Sequence, residues 1–323
     1  MTTIFDRPPT AFGLGCAAAV LAGLLICLPV LLRKGKTYGD WIRLCVCCIP
    51  MTWLGARLGY ALSGWIMMLL EGFFDLDTGR DFLDGFRFWL GGYSLVGGVV
   101  GAAAGARLAG SWRPGCRKEY LDAAALGLPA GILIERLAEH GTRLGLGRYV
   151  TGEWLIRTGL CPLVDGEPVH PVYLYEAAVA LILGLILWGI RRRKSTEGGL
   201  MGIFLMLFGL TQVLLESLRA DGHMVEHFVH IQQVYAILIV FGVMLCWYLR
   251  QPEKKLWDSL ISWGLFAAAI GVAIWAEFGV DRWGNEPLAY GIMTACLILI
   301  GCIAFRFRRG AAAAGKRNEK KQA

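Results

Sequence analysis

Nine stretches of predominantly apolar residues, about 17–28 long, follow one another near 11–32, 43–70, 91–110, 121–138, 171–190, 199–219, 231–249, 259–277 and 289–305. A bilayer core of about 30 Å takes about 20 residues of helix, and backbone groups in hydrocarbon must be satisfied within their own segment. Runs of this length therefore read as spanning helices, and the fold class is an all-α polytopic membrane protein with about nine transmembrane helices. Nine crossings and their connections consume the 323 residues, which excludes a large separate soluble domain. The third and fourth stretches are the least apolar. One is rich in glycine and alanine, and the other, DAAALGLPAGILIERLAE, ends in charged residues. The 43 glycines, against an average of about 7%, point to closely packed spanning helices.

The connections alternate in charge. Basic groups follow the first stretch (Arg33 to Lys36), the third (Arg113, Arg117, Lys118), the fifth (191–194), the seventh (Arg250, Lys254, Lys255) and the ninth (Arg306, Arg308, Arg309). Acidic or mixed connections lie between them: Asp75, Asp77, Asp81 and Asp84, then 139–170, then 220–230, then Glu277, Asp281 and Glu286. Because Lys and Arg accumulate on the cytoplasmic side, this order predicts an outside N-terminus and a cytoplasmic C-terminus. It also assigns the net charge of +7 to topology, and nucleic acid is not expected as a partner. The start, with no basic region and no small-residue cleavage site before its apolar run, reads as a first spanning helix rather than a cleaved signal. The tail at 308–323 reads as basic, low-complexity and disordered.

Charge at membrane depth is the functional signal. Arg57 in GARLGY, Glu135-Arg136, Glu176, and Glu216 with Arg219 all fall within or at the ends of apolar stretches. A charge at mid-helix costs about 2.5–3.5 kcal/mol, so the set implies mutual pairing around a polar cavity. The topology puts Arg136, His170 and Arg219 toward the outer face, and converging arginines suit an anionic headgroup. Gly97, Gly101 and Gly105 recur every four residues, as helix packing requires, while Gly91 and Gly92 could offer N–H groups to a phosphate. His223, His227 and His230 read as an interfacial polar turn rather than a metal site. His170 precedes Pro171, with Tyr173, Tyr175 and Glu176 close behind, and is a candidate for proton transfer or orientation. Eight of the ten cysteines lie in apolar runs and read as packing residues, with no metal site at Cys45 to Cys48.

Together these residues resemble a family, the bacterial phosphatidylglycerol–prolipoprotein diacylglyceryl transferases. HPVYLYE at 170–176 resembles the family's H-P-x-Q-L-Y-E element, with Tyr173 in place of glutamine. GARLGY at 55–60, GGYSLVGGVVGA at 91–102, Asp122, ESLRADG at 216–222 and Gln233 follow in the family's order. The resemblance covers about residues 10–250, leaving two additional helices at 251–307 and the tail at 308–323. It implies a multi-pass enzyme of the bacterial cytoplasmic membrane that needs no metal and no cofactor. Its partners would be phosphatidylglycerol, a lipobox-containing prolipoprotein and the bilayer. His170, Tyr175 and Glu176 are the implied catalytic residues. Arg57, Arg136, Glu216, Arg219, Gly97 and Gly98 are the implied substrate-binding residues, with Arg136 and Arg219 on the phosphate and Glu176 and Glu216 orienting them.

The chain departs from the family pattern at several positions. Val96 stands where a histidine is usual, Gln212 where an arginine is usual, and Glu135 and Ala138-Glu139 replace residues of a glycine-and-asparagine signature. His140 or His170 could then serve as base. A member that binds phospholipid or lipoprotein without transfer, and a lipid transporter, are the alternatives.

Overall fold

The computed structural model describes residues 10–70, 87, 91–113, 115–150, 152–192, 199–220, 225–226, 229–252 and 254–322. Asp75, Asp77, Asp81, Asp84, Lys194, Gly222, His223 and His227, all named above, lie outside the described residues. The long helices are α1 (Ala11–Arg33), α2 (Tyr38–Leu70), α3 (Leu95–Ser111) and α4 (Arg117–Ala138). After the short α5 (Glu153–Ile156) come α6 (Val172–Ile190), α7 (Leu200–Ser217), α8 (Ile231–Leu249), α9 (Leu256–Arg282) and α10 (Glu286–Gln322). Two small antiparallel hairpins complete the described structure, β1 (Leu163–Val164) with β2 (Glu167–Pro168) and β3 (Val225–Glu226) with β4 (Val229–His230).

Among the described residues seven helices, α1, α2 and α6 to α10, are long and apolar enough to cross a membrane, which makes this a polytopic helical membrane protein. The two that fall short of that standard are the two least apolar in sequence. Helix α3 has 17 residues, about 26 Å at 1.5 Å per residue. Helix α4 has 22 but carries Arg117, Lys118, Glu119, Asp122, Glu135 and Arg136. Helix α10 runs on through Gln322, over a stretch of alanine, lysine, arginine and glutamate.

The chain divides into two compact units, residues 1–204 with 218–232, and residues 205–217 with 233–323. In the first unit, glycine sets how closely the helices cross. A Cβ on Gly97 of α3 would collide with the Gly55 carbonyl of α2, and one on Gly105 would lie 2.8 Å from the Cys47 carbonyl. Helices α1 and α4 cross in the same way at Gly23 and Gly127. Backbones that approach this closely gain dispersion contact along their length, which is the main source of attraction between helices in lipid. Helix α3 starts cleanly because Ser94 accepts from the Gly97 amide at 3.1 Å.

At the end of this unit where α1 turns into α2 and α3 into α4, Asp40 is buried beneath a set of donors. It accepts from the Thr37 amide at 2.9 Å, from Tyr120 at 2.9 Å, from Arg43 at 3.2 Å and from Arg113. Asp122 nearby pairs with Lys34 at 3.3 Å and accepts from the Leu200 amide at 3.1 Å, so it caps the start of α7.

In the second unit, Val213, Ala236 and Leu297 form a core between α7, α8 and α10. Trp263 packs against Phe241, Tyr248, Phe266 and Phe307 with ring centroids 5.5 to 5.9 Å apart.

Candidate active site

The opposite end of α4 from Asp40 carries a second cluster of buried charges. Three segments of the first unit are stitched together there by their backbones. The loop after α4 pairs with the approach to α6 through Gly147 N to the His170 carbonyl (2.8 Å), His170 N to the Arg148 carbonyl (2.9 Å) and Tyr173 N to the Gly145 carbonyl (2.9 Å). The chain after α7 joins them where the Ala220 amide donates to the Leu146 carbonyl at 2.9 Å and Arg219 bridges to Gly147. Gly145 has φ +67°, and a side chain there would collide with the Glu139 carboxylate. Only glycine allows the loop to close so tightly over that group.

This framework brings Arg136, Glu176 and Arg219 together. Glu176 Oε2 lies 2.9 Å from Arg136 Nε and 3.5 Å from Arg219 Nη1, so one carboxylate bridges both guanidiniums. All three side chains are at most 3% exposed. Arg136 also pairs with Glu139 and, at 3.3 Å, with Glu135. Buried charges persist only when paired in this way, because loss of one partner strands the others out of water. Burial raises the Glu139 carboxyl to about 7 even though the Arg136 guanidinium pulls it down.

Two histidine–tyrosine pairs flank the cluster. His170 Nδ1 shares a hydrogen bond with the Tyr175 hydroxyl at 3.0 Å, and His140 Nδ1 shares one with Tyr173 at 2.8 Å. Tyr173 and Glu176 are both buried and stand one turn apart on α6, so the His140 pair lies on the face that carries the ion cluster. His140 itself is exposed. Sequence reasoning gives no site role to Glu139 or to the Tyr173 partner of His140. The signal that points to them is the i, i+3 spacing of Arg136 and Glu139 and the two unusual residues in the family elements.

Arg57, Gly97 and Gly98 lie elsewhere in the first unit. Arg57 is buried at the α2–α3 connection. It donates to the carbonyls of Gly91, Gly92 (2.6 Å) and Arg87 (2.7 Å), and it faces the rings of Tyr60 and Tyr93 at 5.3 and 5.7 Å. Gly91 and Gly92 have φ of +81° and +80°, which turns their carbonyls toward that guanidinium. Gly97 is occupied by the crossing with α2, and Gly98 makes ordinary contact with Ala56. Val96 is buried in the first turn of α3. Glu216 and Gln212, both buried on α7, belong to the second compact unit. Among the described residues no group of three or more His, Cys, Asp or Glu could hold a metal ion.

Comparison with known proteins fits this arrangement. Residues 3–249 match the model of the prolipoprotein diacylglyceryl transferase family. A phosphatidylglycerol–prolipoprotein diacylglyceryl transferase of Clostridioides difficile is 23% identical over 253 residues, 78% of this chain and 96% of the relative. One of Clostridium kluyveri is 25% identical over 250 residues (76% and 93%), and one of Symbiobacterium thermophilum is 29% identical over 178 residues (52% and 65%). With its match spanning α1 to α8 and covering the whole buried arginine–glutamate cluster, the chain belongs to the prolipoprotein diacylglyceryl transferase family.

Proposed function

We infer that this protein transfers the diacylglyceryl group of phosphatidylglycerol to the lipobox cysteine thiol of a prolipoprotein, in the bacterial cytoplasmic membrane. The observation that carries the reading is the pair of buried guanidiniums, Arg136 and Arg219, tied together by Glu176 in a member of this family. In the reaction the cysteine thiolate forms a C–S bond at the terminal glycerol carbon of the diacylglyceryl group, and the C–O bond to phosphate breaks. Glycerol 1-phosphate leaves with the bonding electrons. Cations fixed in advance where that negative charge develops lower the barrier without reorganising, which is the role of Arg136 and Arg219. Glu176 holds both in place, and Glu216, three residues before Arg219, is assigned a supporting role on α7.

The thiol needs a base. Two imidazoles are candidates, His170 with Tyr175 and His140 with Tyr173. His140 is favoured because its tyrosine shares a face with Glu176 and because its exposed ring can meet a thiol arriving from water. The finer topology belongs to the same reading: nine crossings including α3 and α4, an outside N-terminus, a cytoplasmic C-terminus, and the site toward the outer face. It is supported by the basic residues at the Asp40 end, Lys34, Lys36, Arg43, Arg113 and Arg117, opposite the arginine–glutamate cluster. Reporter fusions after Lys194 and Lys255 should read cytoplasmic, and a fusion at Asp77 should read outside.

A second reading, a member that binds phospholipid without transfer, draws on Glu139, which pairs with the arginine expected to hold the phosphate. One experiment separates them. Purified protein in phosphatidylglycerol vesicles is given a lipobox peptide and assayed for thioether-linked lipid. Product supports transfer, whereas phosphatidylglycerol binding with no product supports the binding member.

A further inference from the structure

Helices α9 and α10 lie beyond the family match, which ends at residue 249, yet they carry side chains that engage the end of α7. Glu277 is the informative residue. The sequence reads it as part of an acidic turn, but it sits within α9, inside the stretch long and apolar enough to cross a membrane. A carboxylate is expensive there unless it is engaged. One of its oxygens accepts from the Ser217 hydroxyl at 2.7 Å, and the other lies 3.5 Å from the Gln233 side-chain nitrogen. That same Gln233 nitrogen donates to the Val213 carbonyl at 3.0 Å. From α10, the Tyr290 hydroxyl donates to the Ser217 carbonyl at 3.4 Å.

The geometry matters because Ser217 is the last residue of α7. The terminal carbonyls of a helix have no partner within it and need outside donors. Here the Ser217 carbonyl takes its donor, Tyr290, from α10. Ala269, Ala273 and Ala276, on the same helix as Glu277, are buried. Two residues beyond Ser217 along the chain stands Arg219.

We propose that α9 and α10 are an internal clamp on the end of α7, in which Glu277 and Tyr290 are positioning residues that hold Ser217 and so restrict the chain leading into Arg219. The clamp does not touch substrate. It removes freedom from the backbone that delivers a phosphate-binding guanidinium, and small misplacements of such groups are costly in rate. Only its kinetic consequence rests on the transfer reading.

The test uses the full chain in phosphatidylglycerol-containing micelles, with hydrogen exchange and turnover measured on the same samples. Glu277→Ala should speed amide exchange at Leu218 to Ala220 by about tenfold while leaving the amides of α1 and α4 unchanged. It should also lower kcat by about 10- to 100-fold, with less effect on KM for phosphatidylglycerol. Glu277→Gln keeps an oxygen for the Ser217 hydroxyl and should restore most of both. If Glu277→Ala does not fold, Tyr290→Phe removes only the donor to Ser217 and should still speed exchange at these amides. Unchanged exchange at 218–220 in a folded Glu277→Ala or Tyr290→Phe protein overturns the clamp. Faster exchange in a protein whose parent makes no thioether lipid upholds the clamp and defeats the transfer reading instead.

Discussion

The two ends of α4 solve the same electrostatic problem in different ways. Tyr120 at one end and Arg136 at the other are 16 positions apart, about 24 Å along the helix. At the Tyr120 end the buried group is an anion. Asp40 is 1% exposed, while the arginines that reach it, Arg43 and Arg113, are 34% and 47% exposed. At the Arg136 end both signs are buried together: the guanidiniums of Arg136 and Arg219 meet Glu176, and Arg136 also meets Glu139 and the less buried Glu135. A buried carboxylate with redundant neutral donors is a latch, since Thr37 and Tyr120 still satisfy it if one cation swings into water. Buried guanidiniums that share one carboxylate are instead tied to each other. On the proposed reading, these two guanidiniums are what the departing phosphate meets.

The largest effect bearing on this contrast is expected at Arg136. Arg136→Ala takes a shared cation from three carboxylates, and should abolish thioether formation and cost about 3–5 kcal/mol of stability. Activity and thermal unfolding at parental levels would reduce Arg136 to an interfacial residue. Next in size is His140→Ala, which should lower kcat by about 10²–10⁴-fold, with His170→Ala affecting it less. The reverse order would return the role of base to His170 and Tyr175. Asp40→Asn probes the contrast from the other end. It weakens the charged hydrogen bonds and should cost about 1–3 kcal/mol by thermal unfolding, yet leave turnover per folded molecule within about twofold.

The smallest expected effect is a pH dependence at Glu139. Burial lifts this carboxyl from 4.5 to about 7 in the folded chain. Between those values the folded protein holds a proton that the unfolded chain has released. Stability should therefore decline as pH rises across that interval and level off above it. Glu139→Gln should flatten that slope, and phosphatidylglycerol binding by the parent should strengthen as protonation of Glu139 relaxes its hold on Arg136. A parent and variant with the same pH profile would show that Glu139 is charged throughout.

Much of the site is legible in the amino-acid sequence, and the places where it is not have separate physical causes. Arg136, Glu176 and Arg219 stand out because ionised groups in apolar stretches must find one another, and they do. Arg57 gives the same signal and finds backbone carbonyls instead, because two glycines with positive φ turn their carbonyls toward it. Glu139 and the His140–Tyr173 pair depend on the closure of a loop around Gly145, and loop closure leaves no periodic trace in a sequence. Glu277 is hidden for a different reason: at the end of an apolar stretch, an acid in the turn and an acid in the last helical turns look alike.

The amino-acid sequence alone dictates the helical membrane architecture and its punctuation. Lipid forbids unsatisfied backbone, so the apolar lengths require helices, and basic runs mark the turns between them. The partner of each charge, by contrast, is settled only when the chain has packed. That Glu176 serves two arginines, that Asp40 serves as a latch, and that Glu277 reaches Ser217 depend on which helices and loops the packed chain brings side by side. Pairing energies vary steeply over an ångström or two, while hydrophobic burial depends only on the area covered.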